Sequence, residues 1–411
     1  MRFKDLSIHQ TLLRAIEKSG YRQPTEIQEK IIPLILQGKD VIGIAQTGTG
    51  KTAAFALPIL QRLLKKQNAS KRKKQLRALV ITPTRELAEQ IYEAFKIYGE
   101  YTNIRATAVF GGTAIEPQID RLKKGVDILI ATPGRLLDLY KREQLQLDKI
   151  EILVLDEADL MLDMGFIDDV NKIVKITPDD KQIALFSATM PDKIIALTAA
   201  VLQNPEKVEI SQKTPKKINQ KLYYVSKRKK MELILHLLRN EIKGSILIFR
   251  RTKFGVNKLE ESLQKNGYKV TSLHGDKSQK ARQDALKSFK NKEVNILIAT
   301  DVASRGIDIE QLDAVINYDQ PNIPETYVHR IGRTGRAGQV GKAYSLCSPD
   351  EVAYIKRIQK LIEQPIQEVK DHPYIQRPKN KDIEKPQEPK KKKYKKGRKS
   401  AASKKKKKRW Y

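Results

Sequence analysis

The sequence predicts an α/β protein made of two tandem parallel-sheet domains followed by a basic, disordered tail. Three observations carry that expectation. Short β-branched runs bounded by Gly, Pro, Thr or Asp alternate with segments of helical period through the first 365 residues, the pattern of a parallel sheet crossed by helices. The pattern occurs twice. I-L-I-A-T at 128–132 returns at 296–300, an offset of 168, and the run at 78–81 before Pro83-Thr84-Arg85 returns at 245–248 before Arg250-Arg251-Thr252, an offset of 167. The strand ending at Gly111-Gly112 corresponds likewise to the one ending at His274-Gly275. Finally, apolar periodicity stops at about Lys370. Pro373, Pro378, Pro386 and Pro389 follow, and residues 390–411 hold 12 Lys and 2 Arg with no acid, a composition that cannot bury a core.

In the first copy the expected strands are residues 41–45, 78–82, 106–110, 127–132, 152–156 and 183–187, separated by amphipathic helices such as 85–98. Residues 211–221 are polar, lysine-rich and contain Pro215, and read as an exposed linker. The expected organisation is therefore a first domain over 1–210, a linker over 211–221, a second domain over 222–369 and a disordered lysine-rich tail over 370–411. A basic cluster at 65–77 falls between a helix and a strand and reads as a solvated loop, with contact to a polyanion left open.

A chain of 411 residues is long enough for two or three units with cores of their own. Its 80 Lys+Arg against 48 Asp+Glu give a formal charge of +32 and point to a polyanionic partner. The 14 cations of residues 390–411 leave +18 for the rest. No run approaches the roughly 18 apolar residues of a membrane span. The opening Met1-Arg2-Phe3-Lys4-Asp5 does not read as a signal peptide, and the single cysteine, Cys347, cannot form an internal disulfide. A cytoplasmic, reducing location is the expectation.

Residues 45–52 read A-Q-T-G-T-G-K-T, directly after a strand and before a helix, which is the context a phosphate-binding loop requires. Gly48 and Gly50 let the backbone curl so that several N–H groups and the helix N-terminus face one anion; Lys51 reaches the β and γ phosphates and the Thr52 hydroxyl can ligate Mg²⁺. Ala45 stands where the common pattern has its first glycine. Farther on, an apolar strand runs into Asp156-Glu157-Ala158-Asp159. Asp156 is expected to hold Mg²⁺ and Glu157 to deprotonate the attacking water. The second copy has Arg228-Lys229-Lys230-Met231 in the corresponding region, without glycines, so one nucleotide site per chain is implied. It supplies instead H-R-I-G-R-T-G-R at 329–336, whose Arg330, Arg333 and Arg336 have the spacing to clasp a phosphate held by another domain.

Together with P-T-R-E-L-A at 83–88, Gly111-Gly112, T-P-G-R at 132–135, S-A-T at 187–189, H-G-x-x-x-Q-x-x-R at 274–282 and A-T-D-x-x-S-R-G-I-D at 299–308, these strings resemble the DEAD-box RNA helicases of superfamily 2. The resemblance covers nearly all of residues 1–365, and the short N-terminus, M-L-D-M-G-F at 161–166 and the basic tail look most like the bacterial RhlE-type subgroup. It implies two RecA-like domains that bind ATP and Mg²⁺ and remodel RNA. By resemblance Gln28 reads adenine through its amide, Tyr21 stacks on the base and Phe3 packs behind it. The nucleotide set then comprises these three with Ala45, Gln46, Thr47, Gly48, Thr49, Gly50, Lys51, Thr52 and Asp308, and the catalytic set comprises Glu157, Lys51, Arg333 and Arg336. Asp159, Ser187, Thr189 and His329 would couple the nucleotide to RNA, and Pro83, Thr84, Arg85, Gly112, Thr132, Arg135, Gly275, Arg282, Thr300 and Asp301 would hold one RNA strand by its backbone. Residues 390–411 would add RNA contact of low specificity, and ribosome-assembly or RNA-decay proteins are the partners the subgroup suggests. One departure stands out: Arg250-Arg251 where many relatives carry a small or polar residue first, reading as extra phosphate contact or as solvated charge. Two rivals are a translocating DNA helicase, which RNA-specific stimulation of the ATPase would exclude, and an ATP-independent RNA chaperone, which stimulated phosphate release would exclude.

Overall fold

The structure, a computed structural model, describes residues 1–46, 48–67, 75–210, 218–304, 312–335 and 340–377. In the first domain the β-branched runs form seven strands: β1 (Val41–Ile44), β2 (Ala78–Ile81), β3 (Ala106–Val109), β4 (Ile128–Ala131), β5 (Ile152–Leu155), β6 (Gln182–Ser187) and β7 (Glu206–Glu209). All their pairings are parallel, in the order β3-β4-β2-β5-β6-β1-β7. Helices cover both faces, so the inner strands are buried on both sides and their sequences are continuous apolar runs such as I-L-V-L at β5.

The second domain has β8 (Ile218–Tyr224), β9 (Ile246–Arg250), β10 (Val270–Leu273), β11 (Ile296–Thr300), β12 (Ala314–Asn317), β13 (Gly341–Cys347) and β14 (Gln367–Glu368), in the order β10-β11-β9-β12-β13-β8-β14. Position by position this is the order of the first sheet, so the internal repeat is a repeat of topology. The two I-L-I-A-T strings are β4 and β11, each second from an edge.

Two expected boundaries shift. Strand β8 begins at Ile218, inside the segment expected as linker, because its residues 218–221 pair with β13. Residues 370–377, expected as the start of the tail, are folded. Ile375 bridges Val225, the Gln376 N–H donates to Tyr224 O at 3.0 Å, and His372 is buried edge-on against Tyr223. The rest of the expected tail, residues 378–411, lies outside the described residues, as do 211–217 of the linker and 68–74 of the basic cluster.

Lys51 opens the helix after β1, and Lys230 opens the helix after β8. Lys51 faces Glu157 beyond the end of β5, and Lys230 lies 4.0 Å from Asp319 beyond the end of the corresponding strand β12. In the second domain that position is filled. Lys230 donates to Tyr318 O and Glu351, Arg250 pairs with Asp319 and lies over the Tyr318 ring, and Arg251 pairs with Glu351. Arg250 is thus bound inside its own domain, which corrects the sequence reading for that residue, while Arg251 pairs with Glu351 and keeps 40% of its side chain exposed.

Candidate active site at the domain interface

The phosphate loop is shaped by its glycines and held from below. Gly48 and Gly50 have φ of +78° and +92°, where a side chain is strained, and a Cβ on Gly50 would stand 2.3 Å from Gln28 Nε2. That close approach is used. Gln28 Nε2 donates to Gly50 O at 3.0 Å, Gln28 Oε1 accepts the Thr25 N–H at 2.9 Å, and the Thr25 hydroxyl donates to Thr49 O at 2.7 Å. Gln28 is therefore a strut between its own helix, Glu26–Leu36, and the loop, and each end of its amide keeps one further hydrogen-bonding capacity. Tyr21 is 46% exposed and stands edge-on to Tyr98, which leaves a face for a base. Phe3 is buried in the core with Ile27 and Ile31, supporting the Gln28 helix.

Above the loop lies a cavity of about 1000 Å³ lined by Tyr21, Gln28, Gly48, Gly50, Lys51, Thr52, Asp156, Glu157 and, from the second domain, Arg333. Lys51 Nζ meets Glu157 Oε1 at 2.7 Å, with both side chains less than 10% exposed. Burial works to lower the Lys51 pKa, but Glu157 and Asp156 outweigh it and hold the ammonium above its ordinary value. Burial pushes Asp156 up to about 7 against the pull of Lys51. Asp156 Oδ1 is buried without a hydrogen-bond partner, and Thr52 lines the same cavity. Among the described residues no three His, Cys, Asp or Glu side chains gather to hold a metal alone. This donor set fits Mg²⁺, which takes one or two protein oxygens and completes its shell with phosphate oxygens and water.

Glu157 sits at φ +53°, between β5 and the helix Ala158–Asp163, a left-handed conformation that costs about 1–3 kcal/mol and persists where the surroundings impose it. Two residues on, Asp159 Oδ2 accepts both the Thr189 N–H and the Thr189 hydroxyl at 2.9 Å, and the Asp159 N–H donates to Ser187 Oγ at 3.2 Å. The expected coupling residues are thus joined, and His329 lines a second cavity together with Asp159 and Thr189. Arg330, by contrast, is not available to clasp a phosphate. It is buried against Asp301 at 2.6 and 2.7 Å, Asn317 Oδ1 and Asp319 O. Thr47, Asp308 and Arg336 lie outside the described residues; Ala45 is buried at the end of β1, and the Thr49 hydroxyl donates to Gln46 O within the loop.

A third cavity, of about 440 Å³, gathers Pro83, Thr84, Arg85, Thr132 and Arg135 from the first domain with Gly275 and Arg282 from the second. Gly112, at φ +74°, packs under Arg85 so closely that a Cβ would stand 2.1 Å from Arg85 Nη2. The Arg135 Nη2 donates to Thr113 O while Nη1 is buried unpartnered, and burial lowers the Arg135 pKa from its ordinary value. Thr132 caps the helix Pro133–Lys141 without a side-chain cap bond. Thr300 and Asp301 do not line this cavity; Thr300 ends β11 opposite Arg250, and Asp301 is taken up by Arg330. Arg282 has a second employment, since its guanidinium holds Glu86 of the first domain at 2.7 Å, and beside it Gln283 donates to Glu89 at 2.9 Å. Sequence reading missed Glu86, Glu89 and Gln283. Glu86 stands within the P-T-R-E string, but nothing in spacing reveals a partner 196 residues away.

Two family models match the chain, "DEAD/DEAH box helicase" over residues 25–197 and "Helicase conserved C-terminal domain" over 229–338. The chain is 44% identical over 367 residues to the DEAD-box ATP-dependent RNA helicase RhpA of Helicobacter pylori, covering 89% of this chain and 73% of that one. It is 45% identical over 365 residues to the ATP-dependent RNA helicase CshA of Limosilactobacillus reuteri, covering 88% and 72%. Among solved structures it is similar to S. cerevisiae Dbp5 bound to RNA and ADP BeF3, at TM-score 0.78 and 33% identity over 90% of this chain and 95% of that one. Similarity to a DEAD box protein of Methanococcus jannaschii is at TM-score 0.52 and 39% identity, over 90% and 99%. The names RhpA and CshA lend no support to the RhlE-type subgroup. With the phosphate loop, the Asp156-Glu157-Ala158-Asp159 turn and Arg333 of the second domain meeting in one pocket, the chain belongs to the DEAD-box ATP-dependent RNA helicases.

Proposed function

We propose that this helicase works as a clamp: ATP bound by the first domain becomes hydrolysable when the second domain docks, and both domains then grip one RNA strand. The observation that carries the reading is the position of Arg333, a second-domain residue in the wall of the cavity formed by Lys51, Thr52, Asp156 and Glu157. A site completed across an interface couples chemistry to docking. When ATP enters, its phosphates compete for Lys51, and the Glu157 carboxylate is released to orient water and take its proton. Arg333 meets the charge that develops on the γ phosphate, with Arg336 as its proposed companion. Thr52 and Asp156 hold Mg²⁺, which neutralises phosphate charge when bound. Tyr21 stacks on adenine and Gln28 reads it with its spare donor and acceptor, so that base recognition bears directly on loop position through Gly50.

In the third cavity, Arg85, Thr132 and Arg135 receive successive phosphates from the first domain, and the Gly275 loop receives them from the second. Holding one strand from both sides bends it away from its complement, and a short duplex opens locally. The Asp159, Ser187 and Thr189 bonds join the nucleotide turn to the interface, so hydrolysis resets the grip. The tail 390–411 adds contact with RNA of any sequence.

The test is Glu157→Gln. The variant keeps ATP-dependent RNA binding and loses turnover by about 10²-fold or more, the scale of a general base. Undiminished turnover would remove Glu157 from the role of base, and equal stimulation of the unaltered protein by DNA of matched sequence would remove RNA as the substrate.

A further inference from the structure

The second interdomain cavity, about 520 Å³, shares two walls with the nucleotide pocket: Glu157 and Arg333 line both. The nucleotide pocket lies on one side of this pair, with Tyr21 and Gln28 where the base would sit, and the second chamber lies on the other, between the Asp159–Thr189 turn and the helix Pro324–Ile331. From the buried Glu157 and Arg333 the chamber runs past Leu162, Met190 and Val328 to exposed Asp163, Ile323 and Glu325 at its mouth. The clamp uses residues of its walls but gives its interior no role.

We infer that this chamber is the exit for inorganic phosphate. In an in-line displacement the water approaches opposite the leaving oxygen. Its oxygen bonds to the γ phosphorus, the bond from that phosphorus to the bridging oxygen breaks, ADP keeps the electron pair, and the water proton passes to Glu157 and then to solvent. The phosphorus inverts toward the incoming oxygen, so the product is delivered to the chamber side of the Glu157–Arg333 pair while ADP blocks the way back. Phosphate therefore leaves before ADP and without the domains first parting.

The inference rests on the proposed placement of ATP, and its test separates the two. In Val328→Trp the chamber is filled, and in Ile323→Trp only its mouth is narrowed, which guards against a variant that cannot dock. With saturating RNA, cleavage is followed by acid quench and free phosphate by a fluorescent phosphate-binding protein. Expected are cleavage within about twofold of the unaltered protein and phosphate release slower by about tenfold or more, so that release limits turnover. Release keeping pace with cleavage in either variant that cleaves ATP overturns the exit route while leaving the clamp intact. If Val328→Trp fails to cleave, Ile323→Trp decides alone. Absence of RNA-stimulated cleavage in the unaltered protein would instead sink the placement of ATP.

Discussion

Single residues here act through geometry that admits few substitutes. Gly112 is one: its φ of +74° and the 2.1 Å a Cβ would leave to Arg85 Nη2 mean that Gly112→Ala must displace the guanidinium within the proposed RNA face. RNA affinity should fall several-fold, about 1 kcal/mol or more, uniformly across sequences because a phosphate contact is lost, while ATP binding is unchanged. Fluorescence anisotropy with RNAs of different sequence and the same length checks this, and a loss confined to one sequence would contradict it. The meeting of Lys51 with Glu157 and Asp156 in one pocket was legible because strand, loop and acid pair are local strings. The role of Arg330 was not: three arginines three apart look alike in sequence, and only the fold shows that Arg330 is consumed by Asp301 and Asn317.

At the scale of elements, two contacts that sequence reading could not pair deserve tests of their own. The helix Arg85–Tyr98 of the first domain meets the helix Gln279–Lys290 of the second through Glu86–Arg282, a pair with side chains 6% and 10% exposed. Breaking a buried pair costs about 3–5 kcal/mol, because the remaining charge has no counter-charge. Glu86→Ala should therefore raise the RNA concentration for half-maximal stimulation by about tenfold or more. The double variant with Arg282→Ala should lose less than the sum, and strict additivity would show that the two do not act together. The folded segment 370–377 was expected as tail because its composition is polar; burial of His372 against Tyr223 and a bridge at Ile375 decide otherwise. Burial, with the nearby His236, holds the His372 pKa below its ordinary value of 6.5, while Asp371 pulls the other way. A depressed histidine pKa means that the unfolded chain binds the extra proton first, so stability is lost as pH falls below 6.5. The slope from one group is at most about 1.4 kcal/mol per pH unit. His372→Phe should flatten that slope between neutral and acid pH in denaturant titrations, and an unchanged slope would place the proton elsewhere.

At the scale of the whole molecule, the duplication was legible because burial on both faces of a parallel sheet forces continuous apolar strands, which repeat recognisably even where the loops between them diverge. The absence of a glycine loop at Arg228-Lys229-Lys230 was legible too, although the sequence did not show that Lys230, Glu351, Asp319 and Arg251 fill the equivalent place in the second domain. Charge is the remaining whole-molecule property. Of the +32 formal charge, +14 belongs to residues 390–411; among the described residues, Lys51 and Arg333 line the nucleotide cavity and Arg85, Arg135 and Arg282 line the proposed RNA cavity. If the folded domains carry recognition and chemistry while the tail supplies attraction to phosphate, deleting residues 390–411 should act on encounter and not on turnover. RNA binding should weaken, and the slope of log affinity against log salt should become shallower by about 0.7 for each single-strand phosphate the tail neutralises. At saturating RNA the ATPase rate should be that of the full chain, because Arg333, Glu157 and Lys51 are untouched. Loss of turnover at saturation would assign the tail to the catalytic assembly, and an unchanged salt slope would show that its lysines meet something other than RNA.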